Sequence, residues 1–252
     1  MLSRTITLFC LPCAGASSAM YQPWRALVDA GVELVPLEYP GRGVRFNHPF
    51  ATTVDELAEE MARQVRAHGA AHYALFGHSL GALVAFETER RLRAQGRPPA
   101  RALFVSARRA PDLPVPPRRL HKAPDGELIE FLREQGGTPE TALQMPEILE
   151  LLLPVLRADL HLYEDYHFRE ESPLECPIHA LAGREDSGTP AEAMRAWRPH
   201  TRDNFSLTFF DGGHFYLQQQ QSALLAYLNS LLTEGWQTAE GETDRATGAP
   251  CT

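Results

Sequence analysis

The chain has 252 residues, 44% of them hydrophobic and 22% charged, with a net charge of −8 at neutral pH. This composition is typical of a soluble α/β domain with a sizeable core, and no stretch approaches the ~20 consecutive apolar residues that a membrane span needs. The negative charge opposes a general attraction to nucleic acid or anionic membranes, so we expect neither as a partner.

The start of the chain and its cysteines bear on location and on metal binding. Residues 1–10 contain one Arg and a short strand-like run rather than a signal peptide, and we expect a cytoplasmic protein. Of the four cysteines, only Cys10 and Cys13 have the spacing of a redox or metal pair. They lack a second Cys or His pair at ligand spacing, so we interpret them as structural residues and expect no bound metal.

Strand-like and helix-like segments alternate along most of the chain. The predicted strands are 6–11, 32–37, 73–76, 102–105, 178–181 and 205–210. The predicted helices are 20–29, 54–68, 82–93, 190–197 and 215–232, the second with Thr53 or Asp55 as its cap. Such alternation predicts an α/β fold with a mostly parallel central sheet and helices on both faces.

The alternation stops after the fourth predicted strand. Residues 110–117 contain four prolines, and helix-like segments follow over 125–166. A helical insertion between two strands commonly covers an active site, so we predict a lid at about 110–170. We assign its broad apolar faces mainly to packing on the sheet, the rest being available for an acyl chain. Residues 1–232 are predicted to form a single domain, and the polar residues 233–252 a disordered tail.

A G-H-S-L-G pentapeptide, residues 77–81, joins the third predicted strand to the helix that follows it. G-x-S-x-G in this position is typical of a nucleophile elbow, a strained turn that exposes a serine hydroxyl. The flanking glycines are needed because strand and helix cross closely there. Ser79 is therefore the candidate nucleophile, and the alternative is a glycine-rich turn with a capping serine.

A serine nucleophile needs a histidine base and a carboxylate that holds the imidazole in one tautomer. Among ten histidines, His214 lies on a glycine-rich loop after the last predicted strand, and Asp186 lies on the loop after the preceding strand. Their order, serine, acid, histidine, is the one found with this type of elbow. We assign Asp186 as the acid and His214 as the base. The alternative acids are Glu185, Asp211 and Asp112.

The negative charge that develops on a substrate carbonyl requires backbone donors. One is predicted to be the N–H of Leu80, the residue after the nucleophile. The second is predicted in the small-residue loop after the first strand, with Ala14 as the first choice and Cys13 as the next. We interpret His78, inside the elbow, as a structural residue packed between strand and helix.

Five segments in this order, 8–16, 39–43, 76–82, 182–186 and 212–217, resemble the external, type II thioesterases of polyketide and nonribosomal peptide pathways. The resemblance implies an α/β-hydrolase fold and the triad Ser79, Asp186 and His214, in agreement with the assignment above. It also implies hydrolysis of acyl groups from the phosphopantetheine arm of acyl or peptidyl carrier proteins, which clears aberrant or stalled chains. No cofactor is expected, since phosphopantetheine belongs to the carrier.

Two parts of these segments have no assigned catalytic role: Ala16, which departs from the family pattern, and residues 39–43. Ala16 occupies a position where many relatives have a second glycine, which leaves the choice of oxyanion donor open. Residues 39–43, Tyr-Pro-Gly-Arg-Gly, are interpreted as a turn held by proline and glycine.

Carrier proteins are commonly acidic, so docking on this acidic chain needs a local positive surface. A basic cluster at the start of the predicted lid comprises Arg108, Arg109, Arg118, Arg119 and Lys122. Our hypothesis is that part of it, in particular Arg118 and Arg119, receives the carrier; the alternative is a solvated run of charge.

Two other functions stay open at this point, and we expect a monomer in each case. A general carboxylesterase or acyl-CoA thioesterase would use the same triad on other substrates. A noncatalytic hydrolase-like binding protein would keep the fold without a reactive serine.

Overall fold

Six parallel strands form the sheet at the centre of the computed structural model, which describes residues 5–114 and 119–243, with side chains up to residue 233. The strands are β1 Ile6–Leu11, β2 Val32–Pro36, β3 Tyr73–His78, β4 Leu103–Ser106, β5 Ile178–Gly183 and β6 Phe205–Phe210. Their order across the sheet is β2-β1-β3-β4-β5-β6, and each neighbouring pair is parallel. The predicted mostly parallel sheet is thus confirmed.

Eight α-helices and four 3₁₀ segments surround this sheet within the described residues. The helices are α1 Val54–His68, α2 Leu80–Ala94, α3 Asp125–Gln135, α4 Glu140–Leu143, α5 Pro146–Glu164, α6 Ala191–Arg195, α7 Tyr216–Gln219 and α8 Gln221–Thr243. The 3₁₀ segments are Ser18–Ala26, Gly43–Arg45, Leu120–Lys122 and Arg198–His200. None of the described helices has the length and apolarity that a membrane crossing requires.

The sheet is buried on both faces because successive strand residues point to opposite sides. In β1, Phe9 belongs to an apolar cluster shared with α1 and α2, whereas Leu8 belongs to a second cluster shared with α8. Both residues are fully buried. Helices therefore cover both faces, as the uninterrupted apolar strands predict.

Helix α1 begins and ends where its sequence indicates. The hydroxyl of Thr53 accepts a hydrogen bond from the N–H of Glu56 at 3.1 Å, which satisfies one of the free donors of the first turn. Gly69, directly after the helix, has a φ of 76°, the left-handed conformation that ends many helices.

Three predicted helices differ from the structure. Residues 18–26 form a 3₁₀ segment because Pro23 lies inside it and has no N–H for an α-helical hydrogen bond. The predicted helix 190–197 is shorter and is followed by the 3₁₀ segment Arg198–His200. The last predicted helix is split into α7 and α8. Helix α8 also continues past residue 232 to Thr243, because adding residues to a helix that has already formed avoids the unfavourable nucleation step. Residues 244–252 of the predicted tail lie outside the described residues.

Helices α3, α4 and α5 lie between β4 and β5, where the lid is predicted. Their leucines form an apolar cluster of their own, comprising Leu128, Leu132, Leu143, Leu153, Leu156 and Leu160. Ala14, from the loop after β1, packs against this cluster. The predicted packing on the sheet is therefore wrong for most of these residues, because the lid helices bury their apolar faces against one another. The division into one domain with a lid insertion stays a prediction.

Candidate active site

Ser79 occupies the turn between β3 and α2 with φ 55° and ψ −117°. A non-glycine residue seldom adopts a positive φ, and surrounding structure must hold it there. The N–H of Ser79 donates to the carbonyl oxygen of Ser106 at 2.8 Å, which ties the turn to the end of β4. The serine thus lies on the strained strand-to-helix turn that the pentapeptide predicts.

The two glycines of the pentapeptide are required by backbone contacts. A Cβ on Gly77 would lie 2.0 Å from the carbonyl oxygen of Gly81, and a Cβ on Gly81 would lie 2.2 Å from that of Leu11. Backbone atoms cannot move away as the end of a flexible side chain can. Any larger residue at either position would therefore force the strand and helix apart.

His214 and Asp186 lie next to each other on the loops after β6 and β5. The Nδ1–H of His214 donates to Oδ2 of Asp186 at 2.8 Å. Gly188 N–H and the Thr189 hydroxyl also donate to this carboxylate, at 2.9 and 2.8 Å. Burial raises the pKa of Asp186, but these hydrogen bonds and the His214 charge outweigh it and lower the pKa. An ionised Asp186 holds Nδ1 protonated, which leaves Nε2 of His214 as the acceptor.

The three alternative acids have other surroundings. Oδ1 of Asp112 lies 3.0 Å from Nε2 of His200. Asp211 pairs with Arg184 at 3.0 Å near the surface. Glu185 is exposed, and its N–H donates to the carbonyl oxygen of Gly212. Among the candidates, the carboxylate beside the imidazole of His214 is that of Asp186.

One cavity of about 590 Å³ joins these residues. Ser79, Leu80, Asp186, His214 and Ala14 all line it. The described residues include no hydrogen bond between the side chains of Ser79 and His214. Catalytic hydrogen bonds are often long or poorly aligned in active sites without substrate. Residues of the predicted lid also line the cavity: Leu120, Phe131, Leu160, Tyr163 and Glu164.

Leu80 and Ala14, which line this cavity, carry the backbone N–H groups predicted as oxyanion donors. Leu80 is the first residue of α2, so its N–H has no intrahelical partner. In the loop after β1, the N–H of Gly15 donates to Oδ2 of Asp159 at 2.7 Å and that of Ala16 to the carbonyl of Cys13. The N–H of Ala14 has no hydrogen bond within the described residues, and Ala14, unlike Cys13, lines the cavity.

An ion pair that the sequence analysis missed holds this loop. Both guanidinium Nη atoms of Arg42 donate to Asp159 of helix α5, at 2.5 and 2.6 Å, and both side chains are almost fully buried, at 6% and 1% exposed. Arg42 also donates to the carbonyl of Ala16 at 3.1 Å. Burial lowers the pKa of Arg42, but the hydrogen bonds and charge of Asp159 raise this pKa by more than burial lowers it. The guanidinium therefore stays charged.

The predicted turn at residues 39–43 is present, with Gly41 and Gly43 at positive φ values of 80° and 47°, but it also makes tertiary contacts. This segment connects lid helix α5 to the loop after β1, and Tyr39 adds a hydrogen bond to the carbonyl of Pro12 at 3.1 Å. A signal was present in the sequence: Asp159 lies three residues after Leu156 and one before Leu160, within the apolar face of a helix. A carboxylate in such a position needs a buried cation as its partner.

His78 is fully buried beneath the site. Its Nδ1 lies 2.9 Å from the hydroxyl of Ser106, which in turn lies 2.7 Å from the hydroxyl of Tyr216. The rings of His78 and His214 are 5.1 Å apart. Burial and the His214 charge lower the pKa of His78, so it is neutral at physiological pH. These contacts agree with a structural role.

The basic cluster at the start of the lid is divided by the fold. Arg119 and Lys122 are exposed, and Arg118 lies outside the described residues. Arg108 is buried, and both it and Arg109 line the cavity. Arg108 therefore does not belong to the part of the cluster that is available for docking, because a buried side chain cannot contact another protein.

Cys10 and Cys13 are buried free thiols. Burial is the main cause that raises the pKa of Cys13 to about 12. A thiol of this kind is protonated at neutral pH and has little nucleophilic or metal-binding character.

Comparisons with known proteins identify the family of the chain. The model of the thioesterase domain family matches residues 6–232. The chain is 40% identical to thioesterase PikA5 of Streptomyces venezuelae over 86% of this chain and 78% of that protein. The RedJ thioesterase of prodiginine biosynthesis in Streptomyces coelicolor superposes with a TM-score of 0.85 at 37% identity, covering 90% of each chain. The type II thioesterase BorB from the borrelidin cluster superposes with a TM-score of 0.84 at 38% identity, covering 90% of this chain and 93% of BorB.

Proposed function

The chain belongs to the thioesterase family, and we propose that it hydrolyses acyl groups from the phosphopantetheine arms of acyl or peptidyl carrier proteins. In polyketide or nonribosomal peptide synthesis this reaction removes aberrant or stalled chains. The observation that carries the proposal is the Asp186–His214 pair in one cavity with Ser79 at its strained turn. Similarity to type II thioesterases supports the choice of a carrier-bound thioester over other esters.

In the first step, Nε2 of His214 accepts the proton of Ser79 as its Oγ attacks the thioester carbon. The carbonyl oxygen becomes negatively charged and is bound by the N–H groups of Leu80 and Ala14. Collapse of this intermediate breaks the carbon–sulfur bond, and the imidazolium protonates the departing thiolate. Asp186 stabilises the imidazolium that forms on the way.

In the second step, water takes the place of the thiol. His214 removes a proton from the water, whose oxygen attacks the acyl carbon of the Ser79 ester. The same N–H groups bind the oxyanion again. Ser79 then leaves with the proton returned by His214, and the free carboxylic acid is released.

A fluorophosphonate probe tests the reactivity of the serine. We expect labelling of the wild type, no labelling of Ser79→Ala, and much slower labelling of His214→Ala. Absence of labelling in the wild type would favour a noncatalytic binding protein. Rates on acyl-carrier thioesters, acyl-CoA and oxygen esters then separate a carrier thioesterase from a general esterase, which would not prefer the carrier-bound substrate.

The partner is proposed to be an acidic carrier protein that contacts Arg118 and Arg119. The exposure of Arg119 supports this assignment. Reversing both residues to Glu is expected to raise KM for an acyl-carrier substrate and leave KM for an acyl-N-acetylcysteamine thioester unchanged. Arg63→Glu, an exposed charge reversal on α1, is the control. Unchanged turnover of the carrier substrate would reject the docking site. The monomeric state and cytoplasmic location stay predictions.

A further inference from the structure

Two consecutive arginines lie in the wall of the cavity that contains Ser79. Arg108 and Arg109 follow Ala107, whose φ of 49° turns the chain sharply after β4. This turn is anchored, because the N–H of Ala107 donates to the carbonyl of Leu181 and the indole N–H of Trp197 donates to the carbonyl of Arg108. The backbone at Arg108 is thus held on both sides.

Part of each of these two guanidinium groups has no hydrogen-bond partner within the described residues. Nε and Nη1 of Arg108 and Nε of Arg109 are buried without a hydrogen-bond partner. Neither arginine forms an ion pair within the parts of the chain that the structure describes. Arg108 is only 2% exposed. Buried polar groups in native proteins nearly always have partners. Among the described residues with such an unpartnered donor, Arg108 and Arg109 are the ones that line the cavity with Ser79.

The other buried arginines of this chain show how the fold treats such a charge. Arg42 is paired with Asp159, and Arg90, 4% exposed, is paired with Glu87. Arg108 has no such carboxylate within the described residues. Instead, its Cζ lies 4.0 Å from the centre of the aromatic ring of Tyr163. A cation–π contact stabilises the charge but accepts none of its in-plane N–H bonds. Burial and the neighbouring charge of Arg109 lower the pKa of Arg108, as expected of an uncompensated cation.

We infer that Arg108, with Arg109 beside it, forms a subsite for an oxygen acceptor on the acyl chain, and that the enzyme favours acyl groups that carry such an oxygen beyond the thioester carbon. The burial of Arg108 restricts its partner to a group inside the cavity, which excludes the carrier protein's surface. The inference rests on the proposed function, because the cavity must receive an acyl thioester. Oxygen acceptors on the pantetheine arm have the same chemistry, and the experiment separates the two sources.

The test compares butyryl with 3-hydroxybutyryl thioesters, each on N-acetylcysteamine and on pantetheine. Arg108→Met keeps the length and apolar packing of the side chain but removes its donors, and Arg108→Lys keeps the charge. We expect Arg108→Met to lower kcat/KM for 3-hydroxybutyryl at least tenfold more than for butyryl, on both thiols. Arg108→Lys is expected to recover part of this selectivity, because hydrogen bonds from charged donors are the stronger kind.

Each other outcome overturns the inference. Equal losses for the two acyl groups would mean that Arg108 has a structural role, and losses that follow the thiol would assign it to the pantetheine arm. If Arg108→Met does not fold, Arg109→Met and Arg108→Lys carry the same comparison. Labelling of Ser79 by a fluorophosphonate checks that each variant retains its reactive serine. Failure of the wild type to hydrolyse any of the thioesters would reject the proposed function itself.

Discussion

Asp159→Asn tests whether the buried ion pair with Arg42 holds the lid helix to the oxyanion loop. The substitution keeps the shape of the side chain but removes the charge that faces Arg42. Removing one partner of a buried ion pair costs about 3–5 kcal/mol, because the other charge is left uncompensated. Asparagine still accepts one hydrogen bond through its amide oxygen, so we expect the lower end, about 3 kcal/mol.

This cost is large relative to the total stability of a domain, about 5–15 kcal/mol. For a chain of this size, 1 kcal/mol corresponds to about 2–4 °C, so the melting temperature should fall by about 6–12 °C. Activity should fall as well, because Oδ2 of Asp159 is the acceptor for Gly15 N–H, next to the proposed donor Ala14. We expect kcat to fall at least tenfold, less than the roughly 100- to 1,000-fold that follows loss of a whole oxyanion donor.

The assays are urea denaturation and the kinetics of butyryl thioester hydrolysis below the melting transition. Asp165→Asn is the matched control, because Asp165 lies just after α5 but is 61% exposed. The double variant Arg42→Met with Asp159→Leu should regain stability, since an apolar pair can replace a buried ion pair, yet should not regain kcat. Recovery of kcat together with stability, or a melting temperature equal to that of the wild type in Asp159→Asn, would refute the reasoning.

Three further predictions concern single residues. Gly81→Ala should yield little folded protein on expression, compared with Gly126→Ala, because its Cβ would meet the carbonyl of Leu11, whereas Gly126 has open space around it and no positive φ. The pKa of Asp186 is lowered in the folded state, so its stabilising contribution is present above the unfolded pKa of about 4 and is lost as pH falls through the folded pKa. The stability difference between wild type and Asp186→Asn, measured by urea denaturation, should therefore be larger at pH 7 than at pH 3; a larger difference at pH 3 contradicts this sign. Cys13, with its pKa raised to about 12, should resist iodoacetamide at pH 8 until the protein is denatured, as peptide mass spectrometry can show.

Local signals predicted most of the fold. The strands β1 and β6 have the bounds that their apolar runs indicate, and α1 begins after the Thr53 cap. These features depend on neighbours within a few residues, so they can be derived from a single sequence. The 3₁₀ segment at 18–26 differs from the predicted helix because Pro23 has no N–H for an α-helical hydrogen bond.

The candidate site was predictable where its parts follow strand ends. Ser79, Asp186 and His214 each come within about four residues of the end of a strand of a parallel sheet, and the carboxyl ends of such strands meet at one edge. Chain order and loop position thus indicate which acid lies beside His214. The same rule does not reach Arg42 and Asp159, which are 117 residues apart and meet through the packing of the lid.

The sequence by itself determined the parallel sheet, the strained turn at Ser79 and the assignment of its acid and base, because apolar periodicity, glycine and strand ends are local properties. Only the tertiary structure decided which charges are buried and paired. Arg42 and Arg108 are the same residue type in the sequence. In the structure, Arg42 is paired with Asp159, whereas Arg108 lies in the cavity wall with no ion pair among the described residues. Burial and partnership depend on segments brought together from distant parts of the chain, and the free energy of a charge follows from both.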